Sequence, residues 1–311
     1  MADFADDLFS IRKQFYTGQH SKVVEHDYEQ FSEETQLKAL EFQIRSKVEL
    51  SQDAKALIAQ GVNSFPAHED VFEALTAWSD LITGGTGNSS YFEGCEEAQF
   101  ELQAVLTARY LVKYRKDVDS AIAHLVRFTG RASENVLELE PYLLLVQLYL
   151  FKENLTEASK VYKKFETFPS SARDDIVYDI LESWVNSVRG QSDNINDAHY
   201  FYDELLTRGF DHDTQGKFRI LTVLFVFSLQ LKHHPEAQEV LDQISAMDYN
   251  GVGKADLIAN QITYEYLTNG GDEVLALLKE LVATDPEHPL LADLKEKNDR
   301  FDAIVEKYQI A

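Results

Sequence analysis

Several fragments of this chain carry residue types that could do chemistry, and each lacks a part that the chemistry needs. "DHDTQG" sets Asp211, Asp213, Gln215 and Gly216 where a calcium loop keeps its first oxygen ligands and its turn glycine. The twelfth position of such a loop must supply a bidentate carboxylate, and here it is Thr222. "GVGKAD" offers Gly253 and Lys254, but Asp248 stands where a phosphate-cradling loop has its first glycine, and Ala255 replaces the hydroxyl that follows the lysine. "GGTGNSS" has no strand before it and no helix signal after it, so it does not read as a dinucleotide turn. His233 and His234 precede Pro235 at a helix start, where solvent is their expected environment. Cys95 is the single cysteine; it has no histidine at a telling spacing and cannot form an intramolecular disulfide. Paired carboxylates are background in a chain with 53 acidic and 29 basic residues. The spacings support no catalytic residue, no metal ligand set and no cofactor.

The charge balance bounds the partners. A formal net charge of −24 repels phosphate backbones and anionic headgroups, so neither nucleic acid nor a direct membrane contact is expected. A protein partner is compatible with it. The longest apolar stretch, "ILTVLFVFSLQL" at 220–231, is too short to span a bilayer. "MADFADDLFSIRKQF" lacks the basic and apolar regions of a signal peptide. Sequons at Asn88 and Asn154 therefore carry no expectation of glycosylation, and the reading is of a soluble cytosolic protein.

With no chemistry in the motifs, function must lie in surfaces, and the elements that build those surfaces repeat. In "ENLTEASKVYKKFETFP", Ala158 is followed by Tyr162 and Phe165, four and seven residues on, which is one helical stripe. The same stripe occurs at Val24/Tyr28/Phe31, Ala121/Leu125/Phe128, Ala198/Tyr202/Leu205, Ala237/Leu241/Ile244 and Val274/Leu278/Leu281. From residue 121 to 274 the steps are 37, 40, 39 and 37. Each stripe helix follows another helical segment, as "PYLLLVQLYLF" precedes the stripe at Ala158. The unit is a helix–turn–helix a little longer than the roughly 34 residues of a tetratricopeptide repeat. The predicted fold is all-α: an α-solenoid of tetratricopeptide-like helix pairs with a C-terminal capping helix, forming one domain over 1–311. Ala121, Ala158, Ala198 and Ala237 are the predicted crossing points, where a methyl side chain lets two helix backbones approach.

The first third is less regular. A second pair is expected at about 35–62, a helix at 68–82 opens a third, and the Gly/Ser-rich "TGGTGNSSYFEG" at 83–94 reads as a loop. The segment 290–308 puts Leu290, Leu294, Phe301, Ile304, Val305 and Tyr308 on one face, as a terminal cap would. The first helix of each pair lines the concave face of such a solenoid, its usual binding surface. The alanine register selects Leu106, Tyr110 and Tyr114 on one such helix and Leu143, Gln147, Leu150 and Phe151 on the next. On a later helix it selects Arg219, Thr222 and Val226. An aromatic and aliphatic groove of this kind suits an apolar or extended protein element better than an acidic peptide terminus.

Four stretches resemble one known family. They are "DDLFSIRKQFYTGQHSKVVE", "SWVNSVRGQSDNINDAHYFYDELL" at 183–206, "IANQITYEYLTNGG" at 258–271, and "EHPLLADLKEKNDRFDAIVEKY". The matching residues are Phe15, Tyr16 and Gly18, then Trp184, Val185, Asp197, Ala198 and Tyr200, then His288, Pro289, Phe301, Asp302 and Tyr308. In this order they resemble the epsilon subunit of coatomer, of the COPI vesicle coat. The Gly/Ser-rich stretch departs from the helix pair that the family has there. The resemblance implies a non-enzymatic scaffold without cofactor that binds the C-terminal domain of the alpha subunit of coatomer. The superhelix would wrap a protruding β-hairpin of that domain, as a heterodimer within the heptameric coat. It also implies a cytoplasmic chain that reaches Golgi membranes and vesicles through other coat subunits. The alternative is another tetratricopeptide-like adaptor or co-chaperone scaffold holding a protein segment in its groove.

Overall fold

The computed structural model describes residues 8–84, 89–131, 138–207, 210 and 213–308. All regular structure among them is helical, and the chain divides into two compact units, Met1–Asp213 and Thr214–Ala311. In the first unit the helices are α1 (Phe9–Tyr16), α2 (His20–Glu25), α3 (Glu33–Glu49), α4 (Lys55–Ser64), α5 (Glu69–Ile82) and α6 (Ser89–Glu93). They continue with α7 (Glu101–Lys113), α8 (Val118–Thr129), α9 (Glu140–Phe151), α10 (Leu155–Lys164), α11 (Ile176–Arg189) and α12 (Ser192–Thr207). Each odd-numbered helix packs on its successor as a pair, and α1, α3, α5, α7 and α9 each pack on the next odd-numbered helix. The first helices therefore form one continuous layer.

The turns inside the pairs share one backbone feature. A residue of positive φ stands at Gly18, Ser51, Gly84, Lys116, Glu153, Gly190, Lys232 and Gly270, with steps of 33, 33, 32, 37, 37, 42 and 38. The next amide closes back on the helix end: Gln19 N to Gln14 O, Gln52 N to Lys47 O, Asn154 N to Tyr149 O and His233 N to Ser228 O, each 2.8 Å. This is a left-handed helix stop that satisfies carbonyls which would otherwise be orphaned. The second helix starts at once, with the Asp117 side chain accepting from Ser120 N (2.9 Å) and Asn154 from Glu157 N (3.2 Å).

Ala121, Ala158, Ala198 and Ala237 lie buried near the starts of α8, α10 and α12 and of the equivalent helix in the second unit. In the second pair Gly61 of α4 stands between α3 and α5, where a Cβ would sit 3.0 Å from Leu40 of α3 and 2.1 Å from the Phe72 ring of α5. The stripe expected at Val24/Tyr28/Phe31 is not one helix. α2 ends at Glu25, and Asp27 caps a separate 3-10 turn over Tyr28–Gln30 by accepting from Glu29 N (3.1 Å). The loop expected at 83–94 is partly helical: α6 forms and buries Phe92 against Trp78 and Tyr110. Residues 85–88 of that stretch lie outside the described residues.

A buried ionic network ties the first-helix layer together. Arg45 Nη1 lies 3.0 Å from Glu41 Oε1 and 2.8 Å from Glu140 Oε2, while its Nη2 pairs with Glu140 Oε1. Lys38 Nζ bridges Glu41 (2.9 Å) and Glu101 (2.8 Å), and Tyr16 Oη donates to Glu140 (3.2 Å). Arg12 Nε meets Asp175 Oδ2 at 2.7 Å, so α1 is joined to α11, on which it packs. Glu101 and Glu140 are the first residues of α7 and α9, and Asp175 caps α11, so each anion also faces the positive end of a helix. Burial opposes ionisation of Glu140, but Arg45, with Arg109 and Lys38, more than offsets it and holds the carboxyl at about 2. Burial likewise opposes the Arg45 charge, and Glu140 and Glu41 raise its pKa despite it.

The second unit holds α13 (Thr214–Gln230), α14 (His234–Ser245), α15 (Lys254–Thr268), α16 (Val274–Thr284) and α17 (Pro289–Tyr308). α13 pairs with α14 and α15 with α16, and Ile258, Ile262, Val274 and Leu281 form a core cluster of the second pair. The C-terminal helix expected at 290–308 forms as α17 and packs on that cluster through Leu290 and Leu291. Its remaining apolar face is exposed at Leu294, Phe301, Ile304 and Tyr308. Ion pairs Asp293–Lys297 (2.6 Å) and Glu296–Arg300 (2.5 Å), four residues apart, support the helix along its length. Of the two histidines before Pro235, His233 is exposed, whereas His234 lies half-buried beside Tyr264.

Candidate functional site

On the first-helix layer of the first unit, a groove of about 310 Å³ opens between α3, α5, α7 and α9. Trp78 of α5 lies in it, Arg109, Val112 and Lys113 come from α7, and Leu144, Gln147, Leu148 and Phe151 come from α9. Glu49, the last residue of α3, completes the lining. The α7 residues are three and four apart, and the α9 residues recur at intervals of three, four and seven, so each set is a single helical face. Apolar walls with a few polar groups are the usual make-up of ligand and peptide grooves.

The polar groups sit at the edges of the walls. Arg109 Nη1 pairs with Glu49 Oε1 at 3.1 Å, both side chains being partly exposed. Burial pushes the Glu49 carboxyl up, but Arg109, with His20, Arg45 and Lys113, pulls it below its ordinary value. Lys113 is exposed; its ammonium lies 5.7 Å from the Tyr114 ring, and no ion pair joins it among the described residues. The Gln147 amide is also exposed and faces the groove. A second hollow, about 660 Å³, lies over α4, α5 and α6 and carries the opposite charge, with Glu69 and Glu73 beside Val62 and Tyr91.

Of the residues selected from the sequence, Gln147 and Phe151 line the groove, and Phe151 is 65% exposed. Leu106 is fully buried. Tyr110 is also a core residue: its hydroxyl donates to Glu93 Oε1 (2.8 Å) and its ring stacks on Phe92 at 5.4 Å. Neither presents a side chain to a partner. Tyr114 stays 39% exposed with its ring parallel to Tyr110, outside the groove lining. Leu143 and Leu150 turn the other way and pack on the core shared by α9 and α11. In the second unit, on α13, Arg219 is exposed, and Thr222 and Val226 are half-buried, with Thr222 Oγ1 donating to Phe218 O (2.9 Å).

On α7 the groove-lining Arg109 and Lys113 stand one position before the Tyr110 and Tyr114 selected from the sequence. A signal existed: two basic residues four apart are conspicuous on a helix of a chain with net charge −24. Trp78, Val112, Leu144 and Leu148 had no comparable mark. Among the described residues no group of three His, Cys, Asp or Glu side chains could hold a metal ion, and no helix is long and apolar enough to cross a membrane. Of the calcium-loop fragment, Asp211 lies outside the described residues.

Comparison with known proteins assigns the architecture to a lineage. The family model described as the coatomer epsilon subunit matches residues 96–309. Coatomer subunit epsilon of Saccharomyces cerevisiae is 23% identical over 320 aligned residues, covering 97% of this chain and 98% of the yeast protein. The probable coatomer subunit epsilon of Schizosaccharomyces pombe is 24% identical over 208 residues, 66% of this chain and 64% of that protein. The family model, the near full-length alignment and the paired-helix fold agree, and the chain belongs to the coatomer epsilon subunit family.

Proposed function

We propose that this protein is a non-catalytic structural subunit of the COPI coat that binds and stabilises the C-terminal domain of the alpha subunit of coatomer. It would serve Golgi-to-ER and intra-Golgi transport, reaching those membranes from the cytoplasm through other coat subunits. The groove on the first-helix layer carries the reading: an apolar trough edged by polar groups, with a large aromatic side chain, Phe151, held out toward solvent. An exposed aromatic beside a preformed apolar wall is the usual form of an interface anchor, because its burial on binding releases water at little conformational cost. An extended element such as a β-hairpin would place an apolar side chain against Trp78, Leu144 and Leu148, and the Gln147 amide can both donate to and accept from its backbone.

The test is calorimetric titration of the full chain with the purified C-terminal domain of the alpha subunit. One-to-one binding with a negative heat-capacity change is expected, since apolar surface is buried. Phe151→Asp should weaken binding strongly without loss of helicity, because the side chain supports no core. No binding between the two folded proteins would refute the reading.

A further inference from the structure

The charge on the groove is opposite in sign to that of the chain. Its lining holds two cations, Arg109 and Lys113, against one anion, Glu49, in a protein of net charge −24. Glu49 is engaged by Arg109 at 3.1 Å, which leaves the Lys113 ammonium without an ion-pair partner among the described residues. It stands four residues along α7 from the groove-lining Arg109, on the same wall. Resting on the reading of this groove as the partner site, we infer that it takes a segment carrying a carboxylate side chain beside its apolar one. The carboxylate sits against Lys113 and the guanidinium of Arg109, and the apolar side chain lies on Leu144, Leu148 and Phe151.

Charge complementarity chooses this occupant over a neutral or basic one. A basic segment would be drawn to the molecule by its overall charge, yet at this groove it would meet two cations. The acidic hollow over α4, α5 and α6 offers such a segment a better place, with Glu69 and Glu73 on its rim. A segment with one carboxylate is repelled at long range by the whole chain and attracted at close range by Lys113 and Arg109. The pair therefore sets the register of docking more than the strength of encounter.

The test uses the full chain and the C-terminal domain of the alpha subunit, with Lys113→Met, Lys113→Glu, Glu49→Gln and Phe151→Asp compared by titration. All three positions are solvent-exposed, so helicity should be unchanged. Lys113→Met is expected to weaken binding about two- to fivefold, as loss of a partly solvated ion pair does. Lys113→Glu adds repulsion and should weaken it about tenfold or more. Glu49→Gln frees Arg109 for the partner and should tighten binding about two- to fivefold. If Phe151→Asp abolishes binding while Lys113→Met and Glu49→Gln leave it at the wild-type value, the groove is the site and the carboxylate is not there. If Phe151→Asp has no effect on binding, the groove assignment itself fails, and the inference fails with it.

Discussion

Replacing Arg45 by methionine tests the buried network directly. The side chain reaches Glu140 with both terminal nitrogens and Glu41 with one, and it lies 4.6 Å over the Phe15 ring. The Glu140 carboxyl is held at about 2 against an ordinary value of 4.5. At 1.36 kcal/mol per unit, that difference corresponds to about 3 kcal/mol of stabilisation of the charged form. Glu140 and Arg45 are both buried, so solvent screening discounts this little. Arg45→Met leaves the buried Glu140 without its ion-pair partner and Glu41 with Lys38 alone, and should cost about 3–5 kcal/mol at neutral pH. The double variant Arg45→Met/Glu140→Leu should recover most of that loss, since an apolar replacement of the whole pair removes the unpaired charge. The sign with pH follows from the depressed carboxyl. Its contribution is fully present above about 4.5 and is lost as pH falls toward about 2. Wild type should therefore lose this increment across that range, and Arg45→Met should not. Urea titrations followed by tryptophan fluorescence read the first unit alone, because Trp78 and Trp184, the only tryptophans, both lie in it. A loss below about 1 kcal/mol for Arg45→Met, or strictly additive effects in the double variant, would refute the reasoning.

Other perturbations probe the turns and crossings. Ala158→Phe should destabilise the first unit by about 1–3 kcal/mol in the same fluorescence assay, because the buried methyl has no room to grow. Lys232→Gly should raise stability by about 0.5–1 kcal/mol, relieving a side chain held at φ 61° at the turn between α13 and α14. Circular dichroism must read that change, since the second unit has no tryptophan. Partial burial, then Glu182 and Asp175, push the Asp179 carboxyl up to about 6 from an ordinary 3.8. Its charged form is thus penalised as pH rises from about 4 through 6, and Asp179→Asn should stabilise the protein at pH 7 but not at pH 4. The side chain keeps solvent contact, so screening holds the gain below about 1 kcal/mol.

The helix pairs from α7 to α14 were legible because an alanine recurs near the start of each second helix, and a small residue among large ones is a visible mark. The first third hid the same architecture behind different residues. Gly61 stands in the second pair between α3 and α5, where the Phe72 ring leaves no room even for a methyl. Asp27 breaks the Val24 stripe by capping a turn of its own. The intra-pair turn recurs from the first pair to the last, yet Ser51, Lys116, Glu153 and Lys232 fill it without the glycine that would announce it. The groove was half legible. α9 is apolar all round, so its periodicity cannot choose between Leu143 and Leu150, which went to the core, and Leu144 and Leu148, which line the wall. Tyr110 was misplaced because its hydroxyl finds Glu93 on α6, a helix that the Gly/Ser-rich stretch gave no reason to expect. The ionic network was invisible: Lys38, Glu41, Arg45 and Glu140 are types that normally stay in water, and nothing in their spacing marks the exception.

The bridge from Arg12 to Asp175 spans 175 − 12 = 163 residues of chain. In an array whose repeats touch only their neighbours, each helix pair can settle as soon as the next is made. Here the first pair cannot complete its contacts until the fifth and sixth first helices exist. At ribosomal rates of about 5–20 residues per second, that interval is roughly 8–33 s. Through that time the nascent N-terminus carries arginine and tyrosine side chains, Arg12 and Tyr16, whose partners have not yet been synthesised. The same long loop should make the first unit slow to form and all-or-none once formed, despite its helical content.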